Sequence, residues 1–142
     1  MRSRILLLFI LCISLGPIAG CATTPIAARY AEDVPVSRVL SSAPLQARAG
    51  TGRLIVTRDA GFMGGACSYV LYLDATPVVS LRGGERILLY VDPGTHMLST
   101  HASGLCGGGT AEVETTVHLD QAKRYRISSG QDGTLALMPT AF

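Results

Sequence analysis

The sequence predicts an all-β domain, built as a two-sheet antiparallel β-sandwich of about seven or eight strands. After residue 51, short runs of β-branched and aromatic residues are separated by Gly, Pro and Asp. Residues 110–119 alternate small or apolar residues with Glu, Thr and His, which indicates one buried and one solvated strand face. No stretch after residue 50 has an apolar repeat of helical period.

The first 20 residues have the features of a signal peptide. Arg2 and Arg4 form a short positive segment, and the mainly apolar residues 5–15 end at Gly16-Pro17. That apolar run is too short to cross a bilayer, which takes about 20 residues. We therefore expect residues 1–20 to be removed on export.

Residues 18–21, Ile-Ala-Gly-Cys, resemble the lipobox of bacterial lipoproteins. The resemblance implies that Cys21 becomes the first mature residue and carries a diacylglycerol, so that two or three acyl chains anchor the protein in a membrane. In the enterobacterial sorting rule, Asp after the cysteine favours the inner membrane. Because Ala22 stands there, we expect the periplasmic face of the outer membrane. A signal anchor and a plain secretory signal are the alternatives.

Residues 21–50 are expected to form the lipidated N-terminus and a flexible linker. They contain Pro25, Pro35 and Pro44, many Ala and Ser residues, and no sustained apolar period. A coil of about 30 residues has a root-mean-square span of roughly 30 Å. The folded domain, residues 51–142, would then stand off from the membrane.

The charge of the mature chain excludes one class of partner. Without Arg2 and Arg4, ten basic residues face ten acidic ones, so the mature chain is formally neutral. Lys123 is its single lysine. A neutral chain lacks the basic surface that binds nucleic acid, and we expect no such partner.

Turn signals set the expected strand bounds. Residues 74–77 (Asp-Ala-Thr-Pro), 82–85 (Arg-Gly-Gly-Glu) and 92–95 (Asp-Pro-Gly-Thr) suit tight turns. Asp132-Gly133 is a hairpin dipeptide. The predicted strands cover residues 53–58, 67–74, 78–81, 86–91, 96–102, 110–119, 123–128 and 134–138.

Several of these segments resemble a known group of proteins. The runs at residues 61–67, 73–74, 90–96 and 104–109 are similar to small proteobacterial lipoproteins with PEGA-like or transthyretin-like β-sandwich domains, and the Pro-Gly-x-His turn at 93–96 is shared with PEGA modules. The resemblance covers roughly residues 52–142 and implies a β-sandwich without an assigned activity. PEGA modules have Gly in the turn after Val-Asp, where this chain has Ala75.

Two cysteines are left for a disulfide. Cys12 leaves with the signal peptide and Cys21 is assigned to the lipid, so Cys67 and Cys106 form an even pair in an oxidising compartment. A bridge closing a loop of about 40 residues would stabilise the fold by roughly 4 kcal/mol. Two free thiols, or a metal site with a histidine such as His101, are the alternatives.

No motif indicates catalysis, a metal or a cofactor. The chain has no G-x-S-x-G elbow, no phosphate-loop ending and no zinc spacing. His96, expected to be a hydrogen-bonded packing residue, and His101 lie five positions apart, on opposite faces of one strand. Glu112 and Glu114 share a face about 7 Å apart, as on a solvated edge. We predict no catalytic residue, no metal site and no cofactor.

Two glycine-rich loops are the candidate partner-binding region. If Cys67 and Cys106 are bonded, residues 59–66 and 103–109 meet at one end of the sandwich. They carry Phe62, Met63 and Leu105, apolar side chains that suit contact with a protein partner. The alternative is that Phe62 and Leu105 fold back to plug the end of the core.

The sequence therefore favours a non-enzymatic, lipid-anchored envelope protein that binds another protein or an envelope component. The alternative function is an envelope enzyme or a small-ligand binder. An exposed apolar patch would favour the first function. A concave pocket with convergent polar groups would favour the second.

Overall fold

The computed structural model describes residues 23–61, 67–103, 109–130 and 132–142. Within these residues nine strands form two sheets around one core, which confirms the all-β two-sheet sandwich. All eight predicted strands are present. The strands are β1 (Glu32–Asp33), β2 (Gly52–Arg58), β3 (Tyr69–Leu73), β4 (Thr76–Leu81), β5 (Glu85–Val91), β6 (Gly94–Ala102), β7 (Thr110–Val117), β8 (Ala122–Ser129) and β9 (Leu135–Pro139).

The five-stranded sheet is mixed rather than fully antiparallel as expected. Its order is β1-β5-β2-β8-β9, and the four-stranded sheet has the order β4-β3-β6-β7. β2 pairs in parallel with β8, and β1 pairs in parallel with β5. The chain forms β6 and β7 in the other sheet before it returns beside β2, and such a long crossover permits parallel pairing.

The core lies between the sheets and follows the period-two pattern of the strands. Along β7, Thr115 and Val117 are buried, whereas Glu112 and Glu114 are exposed, as the alternation predicts. Leu119, expected on the buried face, is 54% exposed because β7 ends two residues earlier. The largest fully buried side chains are Leu54, Leu71, Leu81, Leu89, Leu98 and Ile127.

Residues 23–50, here called the N-terminal strap, lie against the sandwich. Ala28 and Ala31 are buried, and Val34 and Leu45 pack against the core cluster. Three short 3₁₀ turns at Ala28–Tyr30, Val36–Arg38 and Ala43–Leu45 interrupt the otherwise extended chain. The structure therefore differs from the flexible linker expected here, and the folded domain includes residues 23–50 as well as 51–142.

Backbone hydrogen bonds hold the strap on the edges of both sheets. Val34 N donates to Arg86 O of β5 at 3.0 Å, and Leu40 N donates to Val78 O of β4 at 2.8 Å. An ion pair between Arg38 and Glu85 lies at the same side. The strap thus covers the side of the sandwich where the chain passes from β4 to β5. Extended backbone that binds a sheet edge needs no apolar period, which is why composition alone indicated a coil.

No helix in the parts of the chain that the structure describes has the length and apolar character needed to span a membrane.

The turn between β3 and β4 holds two non-glycine residues in the left-handed region. Asp74 has a φ of 49° and Ala75 a φ of 63°. Two-residue hairpin turns of this kind favour Asn-Gly or Asp-Gly, because glycine adopts positive φ without steric cost. Ala75 therefore strains the turn.

Substitution Ala75→Gly should raise the free energy of unfolding by about 1 kcal/mol, because it removes the cost of left-handed alanine. Urea unfolding measures the change. Ala136→Gly, in the middle of β9, is the matched control and should lower the same quantity by about 0.5–1 kcal/mol. Equal destabilisation by both substitutions would contradict the strained turn.

Candidate binding cleft

A cleft of about 540 Å³ opens at one end of the sandwich. This end, called the turn end, carries the β3–β4 turn, the β5–β6 turn and the β7–β8 turn. Residues 41–48 of the strap form one wall, and β4, β5 and the start of β6 form the other. Leu73 and Tyr90 contribute apolar surface, and Gln46 and His96 contribute polar groups. Most of the lining residues are exposed or half-buried, so the cleft is open to solvent.

His96 is fixed between two acceptors at the base of the cleft. Its Nδ1 lies 2.6 Å from Asp74 Oδ2, and its Nε2 lies 2.8 Å from the backbone oxygen of Asp92. A neutral imidazole carries only one N–H, so both bonds form only when the ring is protonated. The prediction of a hydrogen-bonded packing histidine is confirmed.

The titration of the pair follows from this geometry. Desolvation lowers the pKa of His96, but the hydrogen bonds to Asp74 and Asp92 and the charge of both carboxylates outweigh it, so that the pKa lies above its ordinary 6.5. Desolvation likewise raises the pKa of Asp74, but the hydrogen bonds from His96 and Met97 and the charge of His96 outweigh it and hold the pKa below its ordinary 3.8. Each group therefore stabilises the charged form of the other.

Both oxygens of the Asp74 carboxylate are engaged. Oδ2 accepts from His96, and Oδ1 accepts from the backbone N–H of Met97 at 2.9 Å. The Asp74 amide in turn donates to Met97 O at 2.9 Å. This network ties the β3–β4 turn to the first residues of β6. Both ring nitrogens of His96 and both carboxylate oxygens of Asp74 are therefore engaged in hydrogen bonds within the protein. These hydrogen bonds fix the geometry of the cleft and leave neither side chain free to act as a base.

An exposed ion pair stands at the mouth of the cleft. Arg48 Nη2 lies 3.2 Å from Asp92 Oδ1, and half or more of both side chains is exposed. Exposed pairs of this kind contribute little to stability, about 0–1 kcal/mol. Because Arg48 belongs to the strap and Asp92 follows β5, the pair joins the two walls of the cleft.

The opposite end of the sandwich, called the loop end, contains Cys67, the member of the predicted disulfide pair that the structure describes. Cys67 is half-buried. Ser103 N donates to Ser68 O at 2.9 Å, which brings the segments next to the two predicted loops together. The pairing of Cys67 with Cys106 stays a prediction, because Cys106 lies outside the described residues.

The other predicted site residues also lie outside the described part of the chain. They are the lipid-attachment residue Cys21 and the loop residues Phe62, Met63 and Leu105. Their roles stay predictions.

Arg58 is a buried cation at the loop end that the sequence reasoning missed. Its guanidinium donates to the backbone oxygens of Cys67 and Leu81 and lies 3.7 Å from the ring centroid of Tyr69. Burial lowers the pKa of Arg58, while Tyr69 and Glu85 act in the opposite direction. Arg58 thus links the end of β2 to the ends of β3 and β4 in the other sheet. The alternation of β2 places Arg58 on the same face as Leu54 and Val56, and this pattern could have predicted its burial.

The remaining histidine and acidic positions form no metal site. His101 stacks on Tyr72 with ring centroids 5.1 Å apart, on the face opposite to that of His96. Across residues 23–61, 67–103, 109–130 and 132–142, no three His, Cys, Asp or Glu side chains come close enough to hold a metal ion.

Comparison with known proteins assigns no family to this fold and cleft. No protein-family model matches the chain, and no curated protein is significantly similar to it in sequence.

The His96 network predicts a pH dependence of stability. Because folding raises the pKa of His96, its contribution is complete below about pH 6.5 and is lost as the pH rises through the folded-state pKa. The contribution of Asp74 is complete above about pH 3.8 and is lost as the pH falls through its lowered pKa. The pair therefore stabilises the fold most between about pH 4 and 6.5.

Urea unfolding at pH 6 and pH 9 tests this. The native chain should lose about 1 kcal/mol more on going to pH 9 than His96→Gln does, a figure reduced from that of a buried charged hydrogen bond because Asp74 is half exposed. His118→Gln, at an exposed position outside the network, is the control and should keep the native pH profile. If the unfolding free energies of the native chain and of His96→Gln changed equally with pH, the stabilising role of protonated His96 would be contradicted.

Proposed function

We propose that this protein is a lipid-anchored module of a bacterial cell envelope that binds a segment of a partner protein in the cleft at its turn end. The observation that carries the proposal is that the ionisable groups at the cleft bind one another. His96 bonds to Asp74, and Arg48 pairs with Asp92. The cleft therefore suits recognition better than proton transfer.

The charge balance of the cleft favours an uncharged segment as its occupant. When His96 is protonated, two cations and two carboxylates neutralise each other, so the cleft has no net charge to attract an anionic or cationic metabolite. Leu73 and Tyr90 provide the apolar surface that a protein side chain would cover.

Exposed apolar residues beside the cleft support a protein partner. Leu40 is 55% exposed, and its amide binds the backbone oxygen of Val78, which lines the cleft. Val36, on the same part of the strap, is 86% exposed. Apolar surface of this kind next to a cleft is typical of an interaction site.

The proposed location of the module is supported by its first residues. The Ile-Ala-Gly-Cys motif at 18–21 and the apolar segment before it support lipidation of Cys21 and removal of residues 1–20. Ala22 favours the periplasmic face of the outer membrane. The PEGA-like and transthyretin-like resemblance of the domain fits a module of this class.

Small-ligand binding is a second candidate, because the cleft volume lies within the range of small-molecule sites, about 300–1,000 Å³. A small molecule that co-purifies with the protein would favour this candidate.

Site-specific photo-crosslinking in cells tests the proposal. A photoreactive amino acid at Ser42, on the exposed cleft wall, should give one defined protein adduct, and Arg48→Ala should reduce that adduct several-fold. The same amino acid at Thr116, on the outer face of β7 in the four-stranded sheet, should give none. Arg53→Ala, an exposed arginine outside the cleft, is the matched control and should leave the Ser42 adduct unchanged.

Two results would contradict the proposal. Equal adducts from Ser42 and Thr116 would remove the cleft as the binding site. A small molecule that co-purifies with the protein, is seen by native mass spectrometry and is lost in Arg48→Ala, without any protein adduct, would favour the second candidate. Metabolic labelling with an alkynyl fatty acid tests the anchor, and label retained in Cys21→Ser would refute it.

A further inference from the structure

The chain enters the fold at the loop end. Thr24 and Ala60 exchange backbone hydrogen bonds, with N–O distances of 2.6 and 3.0 Å. The Thr23 hydroxyl donates to the backbone oxygen of Ser129 at 3.1 Å. Ala60 follows β2 and Ser129 ends β8, and because these two strands are parallel, both contacts lie at the same end of the sandwich.

A buried carboxylate at this end also binds the strap. The Asp59 side chain is 1% exposed and pairs with Arg126. Burial raises the pKa of Asp59, and the hydrogen bond and charge of Arg126 together with a hydrogen bond from the backbone of Ile26 act against this rise. Residues 23, 24 and 26 are therefore fixed to the ends of β2 and β8.

The proposed lipid site is very close to this entry point. One residue, Ala22, separates Cys21 from Thr23. Two residues of fully extended chain reach at most about 7 Å. With Cys21 lipidated, as proposed above, the strand ends at Ala60 and Ser129 are held on the order of 10 Å from the lipid head groups.

We propose that the loop end of the sandwich rests against the surface of the membrane that holds the lipid, and that the cleft at the turn end faces away from it. β2 runs the length of the sandwich with seven residues, which is about 20 Å at the strand rise. The cleft then opens roughly 20–30 Å above the bilayer. A partner reaches it from the periplasm and does not have to lie within the membrane.

This arrangement replaces the freedom that a coil of about 30 residues would give. Such a coil would let the domain tumble and present any face to the membrane. In the structure, residues 23–50 instead bind the sandwich. Almost no flexible chain is then left between Cys21 and the folded domain. The fold itself therefore sets the orientation of the cleft.

Fluorescence quenching in vesicles tests the orientation. The full lipidated protein would be reconstituted in phosphatidylethanolamine–phosphatidylglycerol vesicles that contain a head-group quencher, with a fluorescent amino acid at one of two exposed positions. Arg82 precedes β5 at the loop end, and Gln121 lies in the β7–β8 turn at the turn end. Quenching should be several-fold stronger at Arg82 than at Gln121.

A flexible spacer provides the matched control. Inserting 20 Gly and Ser residues between Ala22 and Thr23 adds a span of about 25 Å and should abolish the difference between the two positions. Equal quenching, or stronger quenching at Gln121, in protein that floats with the vesicles and lacks the spacer would overturn the orientation alone. Protein that does not float with the vesicles would overturn the lipid anchor and the orientation together.

Discussion

The architecture depends on the backbone pairing of the N-terminal strap with the edges of both sheets. Edge strands expose unpaired N–H and C=O groups, and proteins must cover or pair them. Here the strap pairs with β5 through β1 and then binds β4 through Leu40 and Val39. The same segment builds one wall of the cleft and brings the chain to the loop end. The fold and the cleft thus follow from one set of hydrogen bonds.

Charged groups reinforce this arrangement at both ends of the sandwich. At the loop end, Arg58 binds the carbonyls of Cys67 and Leu81, and Asp59 pairs with Arg126. At the turn end, His96 binds Asp74 and the backbone of Asp92. Each group connects strand ends or turns that are distant in sequence. Removing one partner of the buried Asp59–Arg126 pair would leave an uncompensated charge, so that substitution should destabilise the fold.

Local pattern predicted the strands well because alternation and turn residues are local signals. The faces of β7 and the opposite sides of His96 and His101 followed directly from the period of two. The parallel pairing of β2 with β8 could not be predicted in this way. It joins segments about 70 residues apart, and neither segment has a local sequence pattern that indicates its partner.

The ordered structure of the strap was not predicted, for a different reason. Its prolines and small residues indicate a coil, whereas its stability comes from main-chain hydrogen bonds that every residue type can make. The cleft likewise has no motif. Asp74 and His96 meet only because β3 and β6 are antiparallel neighbours, a relation that neither segment reveals alone.

Amide hydrogen exchange of the strap tests the central claim, that residues 23–50 are part of the folded domain, most directly. The amides of Thr24, Glu32, Val34 and Leu40 each donate to a backbone oxygen of the sandwich. We expect their exchange to be slowed to an extent similar to that of the amides of β2, because both open only when the sheet edges separate. Exchange of these four amides at unfolded-chain rates, while β2 stays protected, would contradict the account.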